Sequence, residues 1–166
     1  ASGVLFAANL LRHDTDLRVT VIEGRHLLGC GIAYSTTDPD HLLNTRVHHM
    51  SAFPDDPDHF LRWLQTEVDG VRYRRDSFVS RATYGRYLAA LLAPWAASGR
   101  LLCVAGTCVA IRERASGVKV TLADGQSLAG AYAVLATGHV VPRPDPAGLV
   151  TRAWSAGAHA APGRAV

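Results

Sequence analysis

The stretches ASGVLFAANLL (residues 1–11) and LRVTVIE (residues 17–23) decide the fold between them. Val4, Leu5, Ala7, Ala8 and Leu11 recur at helical spacing with no breaker among them, which predicts a helix over Gly3–Arg12. HDTD (13–16) is turn chemistry. Leu17–Glu23 is rich in β-branched residues and ends in an acid, which predicts a buried strand. Ala1, Ser2 and Gly3 read as the last residues of a glycine-rich loop entering the helix. Loop, helix and strand in that order make an α/β unit.

Outward from that unit, GRHLLGCGIAYS (24–35) is glycine-punctuated and predicts irregular chain. FPDDPDHFLRWLQTEV (53–68) carries a helix start signal: Asp55 or Asp56 to cap, Pro57 in the first turn, then a buried stripe through Phe60, Leu61, Leu64 and Val68. ATYGRYLAALLAPWAASG (82–99) predicts a second helix through Tyr84, Leu88, Leu91 and Leu92. Pro94 kinks or ends it, and Gly99 closes the segment. RLLCVAGTCVAIRE (100–113) reads as a strand with a break near Gly106. GVKVTLADGQSLAG (117–130) reads as a hairpin, since Asp124-Gly125 is the pair a two-residue turn prefers. AYAVLATG (131–138) reads as an apolar strand ending in a small-residue turn. Beyond Pro142 the composition shifts to Ala, Gly and Pro, and no regular structure is assigned to residues 145–166.

The chain has 166 residues, 48% hydrophobic and 19% charged, which describes a globular domain rather than a disordered one. Its +3 charge comes from scattered arginines, and the densest cluster, RYRR (72–75), is too short for a nucleic-acid footprint. Three cysteines without a CxxC argue against a disulfide framework and a structural zinc. No apolar run reaches the roughly 20 residues that span a membrane. No targeting signal is visible, so a cytoplasmic location is expected.

The order of elements carries the chemistry. A glycine loop entering a helix turns backbone N–H groups and the positive helix end toward a pyrophosphate. An acid about 20 residues further on accepts hydrogen bonds from a ribose. Gly3 and Glu23 occupy those positions, and AVLATG (133–138) strengthens the pattern. A side chain at Gly3 would also push the helix off its strand.

The segments VTVIEGRHLLGCGIAYSTTDPDHLLNTRVHHMSAFPDDPDHFLRWL (19–64), FVSRATYGRYLAALL (78–92) and AYAVLATGHVVPRP (131–144) resemble the FAD/NAD(P)-binding flavoproteins that include FAD-dependent urate hydroxylase and an aspartate N-monooxygenase. HLLNTRVHHMSAFPDDPDHFLRWL (41–64) is the most specific part, because neither helical periodicity nor a general cofactor loop demands it. The resemblance implies a Rossmann-like, doubly wound domain with a helical insert and a β-meander, its first strand missing. It implies a partial FAD-binding domain over 1–144 and a connector over 145–166 toward a separate NAD(P)H-binding portion, as in a piece of a longer enzyme. Ser2 and Gly3 would face the pyrophosphate, Glu23 the ribose, and Arg25 the adenosine side. Gly31, Asn44 and Met50 would lie near the flavin. Val109 would offer backbone groups to the adenine, and Thr137 and Gly138 would pass the flavin phosphate and ribityl chain. The implied cofactors are FAD and NAD(P)H. The implied activity is hydroxylation of a small polar nitrogen-containing substrate. A flavin reductase without hydroxylation and a non-catalytic dinucleotide-binding module remain as alternatives.

Other residues weigh less. Cys30 lacks the paired cysteine of a flavin disulfide reductase, since the position five residues on is Ser35, and it reads as a packed thiol. His48 and His49 are adjacent, so their side chains should diverge, and no metal spacing accompanies them. His139 follows the ATG turn and reads either as a neighbour of the flavin ring or as a strand-end hydrogen bond. Ser35 and Ser51 lack a nucleophile elbow. Trp63, Tyr84, Tyr87 and Trp95 fall on helical stripes and are expected in the core.

Overall fold

A computed structural model describes residues 1–25, 27–67 and 72–138. It contains helix α1 (Ser2–His13), strand β1 (Val19–Glu23), a 3-10 turn at Val47–His49, helices α2 (His59–Glu67), α3 (Arg81–Leu91) and α4 (Ala93–Ala97), then strands β2 (Leu101–Ala105), β3 (Cys108–Arg114), β4 (Gly117–Leu122) and β5 (Ser127–Gly130). Residues Ala1–Ala136 form one compact unit. A second begins at Thr137, of which Thr137 and Gly138 are described. The expected boundary near 144, the connector over 145–166 and His139 lie outside the described residues.

Strands β1 and β2 pair in parallel, Val19 opposite Leu101 through Glu23 opposite Ala105. The α2–α3–α4 segment makes the crossover, as a parallel pair requires. β3, β4 and β5 form an antiparallel meander. The architecture is α/β, consistent with a dinucleotide-binding fold. Two strands make up the parallel sheet among the described residues, so the many-stranded doubly wound sheet is not what is seen there.

The helices share one core. α1 buries Val4, Ala7, Ala8 and Leu11, the stripe read from the sequence. α2 buries Phe60 and Leu64, with Leu61 partly buried. Each large apolar side chain so removed from water contributes about 1.5–3 kcal/mol. Val68 lies outside the described residues. Tyr84, Tyr87, Leu88 and Leu91 come from α3, which Ser80 caps by accepting from the Thr83 N–H at 3.2 Å. Pro94 ends α3 by opening the short α4, and Gly99 follows at φ 73°.

Four expectations need correction. β1 is half-buried rather than buried, because Thr20 faces solvent. α2 starts at His59 with no aspartate as its cap. Asp55, Asp56 and Asp58 bind Arg12, Arg62 and Arg75 instead. The β4–β5 loop is one residue longer than a two-residue turn. Leu122 N–H donates to the Gln126 carbonyl at 2.9 Å, and Gly125 N–H to that of Leu122 at 3.0 Å. That is a tight turn closed by a glycine at φ 89°. Residues 131–138 form no strand. Pairing needs a ladder partner, and none among the described residues offers one, leaving Tyr132 and Leu135 91% and 73% exposed.

One arginine fastens the two ends of this α/β unit. Arg100 donates through Nη2 to the Leu11 carbonyl at 3.1 Å and to that of Asp14, and through Nε to Leu17 at 3.3 Å. It satisfies carbonyls at the C-terminal end of α1 while its own carbonyl accepts from Val19 N–H at the start of β1. Arg100→Ala should cost about 2–3 kcal/mol in chemical denaturation. Arg100→Lys should recover part of that, since a compact ammonium cannot span carbonyls on both sides. An unchanged midpoint in Arg100→Ala would show the bonds to be idle.

A second tie holds the segment before α2. Ala52 N–H donates to the Tyr87 hydroxyl at 3.1 Å, and His59 Nδ1 lies 2.7 Å from the same oxygen. Burial pushes the Tyr87 hydroxyl up to about 12 and lowers the His59 imidazolium, with Arg62 and Arg12 adding to the effect and Asp56 opposing it. Folding therefore favours neutral His59. Its contribution to stability is fully present above the ordinary histidine pKa of about 6.5 and is lost as pH falls through the lower folded value. The melting temperature of the wild type should drop between pH 7.5 and 5 by more than that of His59→Gln. Parallel pH profiles would remove the role.

Candidate functional site

The N-terminal end of α1 is where the chain converges. No side chain caps its first turn, so its leading N–H groups have no side-chain acceptor. Gly3 lies under residue 136: a Cβ there would stand 3.0 Å from the Ala136 Cβ. Gly29, at φ 72°, lies flat against Val4, and any Cβ would overlap the Val4 Cγ2 methyl. Gly31 follows, and a Cβ on it would come 4.0 Å from the Ala1 nitrogen.

Glu23 ends β1 beside this group. It is half-buried, accepting from Arg25 N–H at 3.2 Å and from Gly29 N–H at 3.4 Å. Both bonds are long, and each carboxylate oxygen keeps acceptor capacity for a further donor. The Glu23 carbonyl accepts from Gly106 N–H at 3.0 Å, and Gly24 packs on Thr107. Two residues further, the β3–β4 register shifts between Cys108 and Ala110, which makes Val109 the unpaired residue of a β-bulge. A bulge leaves backbone groups outside the ladder, and Val109 is 61% exposed.

The structure thus brings Ser2, Gly3, Glu23 and Gly31 to one helix end, and the Glu23 carbonyl leads on to Gly106 and the start of β3. Arg25 joins through its N–H, with its side chain exposed. Asn44 lies on a ribbon in which residues 41–48 run against 75–81, and Met50 follows it at the end of the 3-10 turn. Leu43 N–H donates to the Val79 carbonyl at 2.8 Å and Val47 N–H to that of Ser77 at 3.1 Å. Asn44 is exposed and Met50 packs on the core. Thr137 and Gly138 belong to the second unit, where Gly138 adopts φ 68°.

His48 and His49 do not diverge as expected. The 3-10 turn brings their rings to 3.8 Å, and His48 Nδ1 donates to the Arg75 carbonyl at 2.6 Å. No group of three or more potential metal ligands forms among the described residues. Cys30 is a packed thiol: it is buried 3.5 Å from the Gly85 carbonyl, and burial raises its pKa. A shallow recess of about 560 Å³ lies on the meander between Arg114, Lys119 and Ser127, away from the candidate cofactor residues.

Gly29 and Gly85 escaped the sequence reading. A Cβ on Gly85, in the middle of α3, would meet the Tyr34 carbonyl oxygen at 2.5 Å and Cys30 Sγ at 3.1 Å. The available signal was a glycine inside a helical pattern, which costs stability unless something packs against it.

The family described as FAD-NAD(P)-binding matches residues 1–140, and the chain belongs to that family. FAD and NAD(P)H are its cofactors, and its redox chemistry is that of flavoproteins. No curated protein matches the chain. No helix among the described residues is long and apolar enough to cross a membrane.

Gly85→Ala should cost about 1–3 kcal/mol, the usual range for overpacking a tight contact, because a backbone oxygen cannot move aside as a side-chain end can. Gly29→Ala should lose stability as well, through both its positive φ and Val4. Thermal melts report both. A Gly85→Ala protein as stable as wild type would show that α3 and the 30–34 loop can separate.

Proposed function

We propose that this chain is the FAD-binding part of an NAD(P)H-dependent flavoprotein monooxygenase, built on a Rossmann-like plan, that hydroxylates a small polar nitrogen-containing substrate. The observation that carries the cofactor part is the meeting of Gly3, Gly29, Gly31 and Glu23 at the start of α1, with the Glu23 carbonyl bonded to Gly106, three residues before the Val109 bulge. These residues fit a dinucleotide: glycines that admit a backbone-close ligand, N–H groups for a pyrophosphate, an acid for a ribose, and free backbone groups for an adenine. The hydroxylation part rests on the resemblance of residues 41–64.

In this reading the flavin supplies hydride acceptance and oxygen chemistry. Ser2 and Gly3 hold the pyrophosphate through backbone N–H groups. Glu23 accepts from the ribose hydroxyls, Arg25 flanks the adenosine, and Val109 meets the adenine edge. Gly31, Asn44 and Met50 border the flavin and limit water there.

The test is absorbance of the purified full-length parent after incubation with FAD, followed by oxygen and NAD(P)H consumption with small amines and amino acids. Flavin bands near about 370 and 450 nm are expected, with hydroxylated product matching the oxygen used. Glu23→Ala should weaken FAD binding by about tenfold or more, the worth of a charge-assisted hydrogen bond. NAD(P)H oxidation without hydroxylated product would leave a flavin reductase. Bound flavin without turnover would leave a binding module. A protein that takes up no FAD would overturn the reading.

A further inference from the structure

A second site lies on the helical side of the same unit. Between the end of α3, α4 and the start of α2 is a slot of about 280 Å³ walled by Phe53, Trp63, Leu91, Pro94 and Trp95, with His59 also lining it. None of these residues is among the cofactor candidates. Trp63 and Trp95, expected in the core, are each only partly buried and turn toward this slot. Pro94 opens α4 and so fixes the residue beside it on the rim.

The polar chemistry of the slot follows from the hydrogen bonds behind it. The Tyr87 hydroxyl accepts from Ala52 N–H at 3.1 Å and lies 2.7 Å from His59 Nδ1, and the two share one hydrogen bond. In the tautomer in which Tyr87 donates, Nδ1 accepts and the ring proton sits on Nε2. His59 stands edge-on to Phe53, at 87° with centroids 4.7 Å apart, which further restrains its ring. In that tautomer the donor His59 has left for a ligand is Nε2–H. The nearby cations are already paired: Arg12 lies over the Phe53 ring while bound to Asp55, and Arg62 is bound to Asp56. No uncompensated charge among these residues calls for an ionic ligand.

We propose that this slot binds a neutral planar aromatic molecule carrying one hydrogen-bond acceptor, stacked against Trp63 and Trp95 with the acceptor on His59 Nε2–H. Size agrees: an apolar cavity of roughly 150 Å³ suffices for benzene, so the slot takes a ring with a substituent. Apolar walls around few polar groups are the usual make-up of a small-molecule site.

Acetophenone and α-methylstyrene test this, being alike in shape and differing in the carbonyl acceptor. Titration of each into the full chain, followed through the indole N–H signals in ¹H–¹⁵N spectra, should show saturable shifts. The affinity ratio of acetophenone to α-methylstyrene should fall about tenfold in His59→Phe, the scale of one hydrogen bond, and should largely survive in His59→Gln, which keeps a donor. Trp95→Ala, on the rim, should weaken both probes at least about fivefold by removing a stacking face. Absence of saturable shifts in the wild type overturns the proposal. So does a ratio unchanged in His59→Phe, or undiminished binding in Trp95→Ala. Should His59→Phe fail to fold, the wild-type titration and Trp95→Ala still decide.

Discussion

The close approach of the Gly29–Tyr34 segment to two helices at once is the constraint on which the rest depends. On one side Gly29 lies against Val4 of α1, and on the other the Tyr34 carbonyl and Cys30 lie against Gly85 of α3. Interiors packed at crystal density leave no slack for an extra methyl group at such contacts. With both helices held this way, the segment leaving β1 must fold back over the start of α1. Glu23, Gly29 and Gly31 thereby come to the same helix end. Cys30, buried at the centre of the contact, has a packing role that its chemistry alone would not suggest.

The candidate cofactor site is thus built from backbone more than from side chains. The glycines make room, an uncapped helix supplies N–H groups, and a bulge at Val109 exposes further backbone. Glu23 is the acid at that helix end, and its own loop already orients it through the Arg25 and Gly29 N–H groups. This economy suits a cofactor that carries the reactive chemistry itself, for which the protein supplies position and a dry surface. The aromatic slot differs in kind. It is made of side chains, and its histidine is backed by the Tyr87 hydroxyl.

Membership in the FAD-NAD(P)-binding family over residues 1–140 agrees with the sequence pattern on cofactors. The remaining differences have local causes. Aspartates expected to cap α2 pair with arginines because three guanidinium groups lie within reach on α1, on α2 and at Arg75. Residues 131–138 have the composition of a strand, but composition cannot supply a ladder partner. The two histidines meet because a 3-10 turn, rather than extended chain, carries them.

Periodicity and punctuation in the sequence alone determined the helices of residues 2–13, 59–67 and 81–91, the break at Pro94, the break at Gly106 and the hairpin, because each depends on neighbours within a few positions. The same local signals marked Gly3 and Glu23. What only the tertiary structure decided involves residues far apart in the chain. Gly29 meets Val4, Gly85 meets Tyr34, Arg100 collects carbonyls at Leu11, Asp14 and Leu17, and the Tyr87 hydroxyl meets His59 Nδ1. Whether a glycine is a hinge or a contact, or an arginine surface or clasp, depends on which backbone packs against it, and no window along the chain contains that partner.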